Sequence, residues 1–152
     1  MKYKTLILTL AIFTGCSDKF ERVPEDRFIG TWELIGRSMF DGIKVEINQN
    51  EKGKLVGRIK DLNDNKFVKM FAEVGDVWIS DVSRSSNFQF RITEKKIGRE
   101  LFSLYGLSSS AEFKAEFIDE NTIGISGNAD PSKSSVTYKR TEETQANNVY
   151  NP

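Results

Sequence analysis

"GIKVEINQNEKGKLVGRIK", residues 42–60, decides the fold class. Ile43, Val45 and Ile47 alternate with Lys44, Glu46 and Asn48, the period of two that puts every second side chain on the buried face of a strand. The polar stretch "EKGK" interrupts the pattern, and its Gly53 is free to take a positive φ. Alternation then resumes with Leu55, Gly57 and Ile59 on one face and Val56, Arg58 and Lys60 on the other, before the polar run "DLNDN" at 61–65. Two alternating runs joined by a glycine turn read as an antiparallel hairpin.

Outward from this hairpin the same pattern repeats. "GTWELIG" (30–36), "KFVKMFAE" (66–73), "DVWIS" (76–80), "NFQFRIT" (87–93), "RELFSLYG" (99–106), "AEFKAEFI" (111–118), "TIGIS" (122–126) and "SVTYKR" (135–140) read as further short strands, separated mostly by Gly, Ser, Asn or Asp. In "AEFKAEFIDE" the four-residue spacing of Phe113 and Phe117 also suits a helix, but the alternation of Ala111, Phe113, Ala115 and Phe117 with Glu112, Lys114 and Glu116 favours a strand. No long helical period occurs. The expected class is all-β, an antiparallel up-and-down β-barrel of about eight to ten short strands. The terminal "TEETQANNVYNP" has no periodic apolar face and reads as a disordered tail over 141–152.

Within "FIGTWELIG" (28–36), Gly30, Thr31 and Trp32 match the Gly-x-Trp signature that opens the first strand of lipocalins and their calycin relatives, and "VTYKR" ends the last strand with Arg140. The order of parts along 28–140 thus resembles a lipocalin-like barrel. The resemblance implies that Trp32 packs across the closed end, covered by Arg140, or failing that Lys139, through a cation–π contact, and that both roles are structural. The inward faces of such a barrel carry Ile43, Val45, Ile47, Phe88, Phe90, Ile92, Phe113, Phe117, Ile123, Ile125, Val136 and Tyr138. Of these, Val45, Phe88, Phe90, Phe113, Phe117 and Tyr138 are the candidates to line a site for a small apolar ligand. Two outcomes stay open. An eight-stranded barrel is just wide enough for its own side chains, whereas the small residues Gly57, Ala111 and Ala115 would leave a cleft.

The N-terminus carries an address. In "MKYKTLILTLAIFTG" (1–15), Lys2 and Lys4 precede an apolar run from Leu6 to Phe13, the pattern of a secretory signal and too short to span a bilayer. "FTGC" (13–16) resembles the bacterial lipobox, which implies acylation of Cys16, the only cysteine of the chain, and membrane attachment through N-terminal acyl chains such as palmitate. "SDKFE" (17–21) is similar to the surface-export signal of Bacteroidota lipoproteins, which implies an outer-membrane lipoprotein exposed at the cell surface. Residues 16–27, rich in charge and holding Pro24, read as a flexible tether to the domain at 28–140.

Composition excludes much else. Lys plus Arg and Asp plus Glu both number 22, so nothing in the charge points to nucleic acid. Histidine is absent, which removes the usual general base and the commonest metal ligand. "DLNDNK" places Asp61, Asn63 and Asn65 like the start of a calcium loop, but Lys66 stands where the turn glycine belongs and Ala72 where the bidentate acid belongs, so a hairpin turn is the better account. The serines at 83–86 and 108–110 read as loops, and Glu142 and Glu143 fall in the tail. No catalytic constellation, cofactor or metal site is expected. A ligand-binding barrel and a filled barrel acting through its surface as an inhibitor, adhesin or accessory subunit of an envelope complex are the two expectations. Trp78 separates them: alternation sets it opposite Val77 and Ile79, facing outward, where beside Phe71 it would mark a protein or glycan surface.

Overall fold

The computed structural model describes residues 21–141; the segment expected as a secretory signal, Cys16 and the segment 142–152 lie outside the described residues. Eight strands follow one another as β1 (Gly30–Ile35), β2 (Lys44–Gln49), β3 (Leu55–Asp61), β4 (Val77–Arg84), β5 (Gln89–Lys95), β6 (Ser110–Asp119), β7 (Thr122–Ser126) and β8 (Thr137–Arg140). Each pairs antiparallel with its neighbour in sequence, and β1 also pairs with β8, so the sheet is a closed up-and-down barrel. The β2–β3 hairpin forms where the alternation placed it: the Asn50 side chain accepts from the backbone N–H groups of Lys52 and Lys54, and Gly53 takes φ +73°. "AEFKAEFI" lies in β6.

Two segments expected as strands are helices. "KFVKMFAE" forms α1 (Lys66–Phe71), started by Asn65, whose side chain accepts from the N–H groups of Phe67 and Val68. The run "DLNDNK" is therefore the lead-in to a helix and not a hairpin turn. "RELFSLYG" forms α2 (Arg99–Leu104), ended by Gly106 at φ +67° with Leu107 N–H bonded back to the Phe102 carbonyl, a Schellman-type stop. These segments span one β3–β4 and one β5–β6 connection, so the barrel has eight strands and not ten.

The barrel's two ends differ. Tight turns at 50–54, 85–88 and 120–121 share the end where the chain enters, while the long connections 36–43, 62–76, 96–109 and 127–136 crowd the other, the mouth. At the entry end a 3-10 turn, Glu25–Phe28, lies across the barrel and drives Phe28 between Phe90 and Phe117, each with ring centroids 4.8 Å away. Trp32 Nε1–H donates to the Phe28 carbonyl at 2.7 Å. Arg140 stacks 4.1 Å from the Trp32 ring and donates to the carbonyls of Ile29 and Arg27 at 2.9 and 2.7 Å. Gly30 has φ +136°, and a Cβ there would stand 2.5 Å from Arg140 Nη1, so only glycine lets the arginine pass. Arg27 and Arg84 lie over Phe117 and Phe90 in the same manner. This lid begins inside the segment expected as tether: Val23 N–H bonds the Asn87 carbonyl, and Arg84 donates to the Val23 carbonyl and to Glu25.

Above the lid the interior is filled. Leu34, Val45, Ile47, Ile59, Ile79, Phe90, Ile92, Ala115, Ile123 and Ile125 are all buried. Gly57 does not open a cavity here, because Val45 and Ile79 close over it: a Cβ at that position would meet Val45 Cγ1 at 2.8 Å and Ile79 Cβ at 2.9 Å. Among the described residues the eight strands close on one another in one barrel around one core. Replacing Gly57 by Val should overpack this layer and lower stability by about 1–3 kcal/mol; a urea midpoint equal to wild type would show the layer to be loose.

Candidate functional site at the barrel mouth

The apolar interior ends in a polar layer. Along β5 the inward row Phe90, Ile92 continues to Glu94, which is only 4% exposed. A carboxylate so placed must be hydrogen-bonded. Tyr138 of β8 donates its hydroxyl proton to Glu94 Oε1, Trp78 of β4 donates Nε1–H to the same Tyr138 hydroxyl at 2.8 Å, and Arg37 from the β1–β2 connection pairs with Glu94 Oε2. Four elements distant in sequence are tied together by one chain of donors and acceptors. No fully buried side-chain N or O atom among the described residues lacks a partner. Burial first, and the facing Glu94 second, push the Tyr138 phenol well above its ordinary pKa, so it is held as a neutral donor.

On the mouth side of this layer lies a cleft of about 310 Å³, bordered by Arg37, Phe40, Trp78, Glu94, Lys95, Lys96, Ile97, Phe102, Ala111 and Phe113. Phe40 meets Trp78 edge-on at 5.6 Å between centroids. The Arg37 guanidinium lies 4.5 Å from the Phe113 ring centre, and the Lys96 ammonium 5.2 Å from that of Phe102. Beyond the cleft the rim is apolar and open: Phe67 is 65% exposed, Met70 70%, and Leu104 and Tyr105 80% each.

The structure separates the expected site residues. Phe113 lines the cleft, whereas Tyr138 is fully buried behind Glu94 and Trp78 and does not reach the cleft wall. Val45 is buried beside Gly57, so it belongs to the filled core. Phe90 and Phe117 pack on Phe28 in the closed-end lid, with Gly30, Trp32 and Arg140, and face no cleft. Phe88 precedes β5, in the 85–88 turn, and is 39% exposed, which takes it out of the inward row. Trp78 does not face outward. The pairing register shifts on both sides of β4, between Gly57 and Arg58 and between Ile79 and Asp81, and this irregularity lets Trp78 and Ile79 both be buried.

Arg37, Phe40, Glu94 and Phe102 were not among the sequence candidates. Glu94 had a signal, an acid continuing an apolar alternation; Arg37 and Phe40 sit on a connection and had none. Among the described residues no group of His, Cys, Asp or Glu is arranged to hold a metal ion, and no helix is long and apolar enough to cross a membrane. No family model matches the chain, and no curated protein or solved structure matches it.

Tyr138→Phe should leave Trp78 Nε1 and Glu94 short of a partner and lower stability by about 1–3 kcal/mol. A phenol whose pKa is raised by folding supports the fold fully below its unfolded value, near 10, and loses that support as pH rises beyond it. Urea midpoints measured from neutral pH upward should fall above about pH 10 in wild type and less steeply in Tyr138→Phe; identical slopes would show that Tyr138 is not the titrating group.

Proposed function

We propose that the protein is a membrane-anchored lipoprotein of the cell envelope whose lipocalin-like barrel binds a small apolar or amphipathic molecule, with the site in the mouth and not in the barrel's interior. The observation that carries this is the aromatic-walled cleft over the Trp78–Tyr138–Glu94–Arg37 layer, at about 310 Å³ within the range of small-molecule sites. The layout of the chain supports it as well. Residues 21–28 enter at the closed end, so a tether acylated at Cys16 would attach there and leave the mouth facing away from the anchoring membrane. In this reading the protein resides in the outer membrane and is exposed at the surface, as the likeness of "SDKFE" to an export signal implies.

A second reading, the filled barrel acting as an inhibitor, adhesin or accessory subunit, is favoured by the exposed rim of Phe67, Met70, Leu104 and Tyr105. Native mass spectrometry of the mature protein, extracted gently from its own envelope, discriminates. The ligand reading expects a stoichiometric small molecule that is lost in Phe113→Asp while the barrel's circular dichroism is kept. A clean apo mass, with no uptake of apolar compounds afterwards, would overturn it and direct the search to protein partners of the rim.

A further inference from the structure

We propose that the mouth cleft selects an amphipathic anion with a compact, planar aromatic body, and that Lys96 supplies the charge recognition. The inference rests on the ligand reading above and specifies its chemistry. Charge comes first. Glu94 is the only acid on the cleft wall, and Arg37 already pairs with it, so Lys95 and Lys96 leave the wall with a positive surplus. On their far side the same lysines border a depression of mixed charge, with Glu73, Asp76 and Glu100 beside Lys69 and Arg99, the last pairing with Glu100. The Lys96 ammonium stands over the Phe102 ring, which draws it to the cleft side and half out of water, where an ionic hydrogen bond is stronger than on an open surface.

Shape comes second. Beneath the cleft the Tyr138–Glu94 layer and the filled core leave no tunnel, so a long alkyl chain has no depth to thread. The walls are rings: Phe40, Trp78, Phe102 and Phe113. A flat aromatic body meets such walls by stacking and edge contacts that an alkyl chain gains only as buried area.

The test uses the chain from Ser17 onward, which lacks Cys16 and keeps all eight strands of the closed barrel, and three probes in calorimetric titration: 2-naphthoate, 2-naphthalenemethanol and dodecanoate. The expected order is 2-naphthoate tightest, by about tenfold over each of the others, with its advantage over the alcohol shrinking as salt is raised. Lys96→Gln should erase the preference of acid over alcohol, both affinities being measured on the same variant. Equal binding of acid and alcohol would overturn the anion selection and leave the ligand reading standing. Dodecanoate binding as tightly as naphthoate would overturn the aromatic selection. A preference that survives Lys96→Gln would remove Lys96 from the role. Failure of all three probes to bind would count against the ligand reading and this inference together.

Discussion

The pairing of β1 with both β2 and β8 is the constraint on which the rest of the molecule depends. Trp32 stands opposite Val45 on one side of β1 and opposite Arg140 on the other, so a single strand closes the sheet and sets the aromatic and the arginine in register. Closure removes the exposed edge that an open sheet would present. It also sets the problem that the side chains must then solve, because a cylinder has two ends. The entry end is sealed by three arginines, each lying on a ring and spending its donors largely on backbone carbonyls. Among the described residues Arg140 has no carboxylate partner in this lid; burial and the nearby Arg27 lower its pKa from the usual arginine range. The Gly-x-Trp glycine is part of that seal, since Gly30 leaves the space through which Arg140 reaches the carbonyls.

Closure at eight strands also moves the site. The diameter is just sufficient for the chain's own residues, and Leu34, Ile47, Ile79, Ile92 and Ile123 take it up with none of their surface exposed. The row on β5 then ends in a carboxylate, and the polar layer it requires forms a floor. An apolar residue at position 94 would have let the core continue toward the mouth. The buried acid instead recruits Tyr138, Trp78 and Arg37, and orders the connection that carries Arg37 along with the wall of the cleft. A cluster of this kind is worth little to stability as an ion pair and more as a device that sets which side chains meet.

What was legible in the sequence follows from how far alternation runs unbroken. The 42–60 hairpin and β6 could be read because each follows period two, whereas the Trp32–Arg140 contact was implied only by the resemblance of Gly30-x-Trp32 and Arg140 to the ends of a lipocalin barrel. α1 and α2 were misread because runs of six residues fit either period. Their deciding features, the Asn65 cap and the Gly106 stop, lie just outside the apolar run. Trp78 was misplaced by register shifts that no residue type announces, and Phe88 by a strand that starts one residue later. The lid from Val23 was hidden in charged composition, since its bonds are to backbone. Of the cleft, Phe113 and Ala111 were visible as inward residues, whereas Arg37, Phe40 and Phe102 lie on the long connections, where side-chain direction is set by tertiary contacts and not by period.

The two ends of the barrel divide its labour, and this bears on the choice between ligand and partner. The connections that wall the cleft are also those that carry the exposed apolar rim: Phe71 and Ile97 border a shallow groove with Phe102, Tyr105 and Leu107, and Ile97 and Phe102 reach into the cleft itself. A molecule seated against Phe102 would therefore contact the helix that presents Leu104 and Tyr105, and a protein covering those residues would press on the cleft wall. A ligand in the mouth and a partner on the rim would both contact Ile97 and Phe102, and any coupling between them would have to be reciprocal. The tight turns and stacked arginines of the closed end share none of these residues.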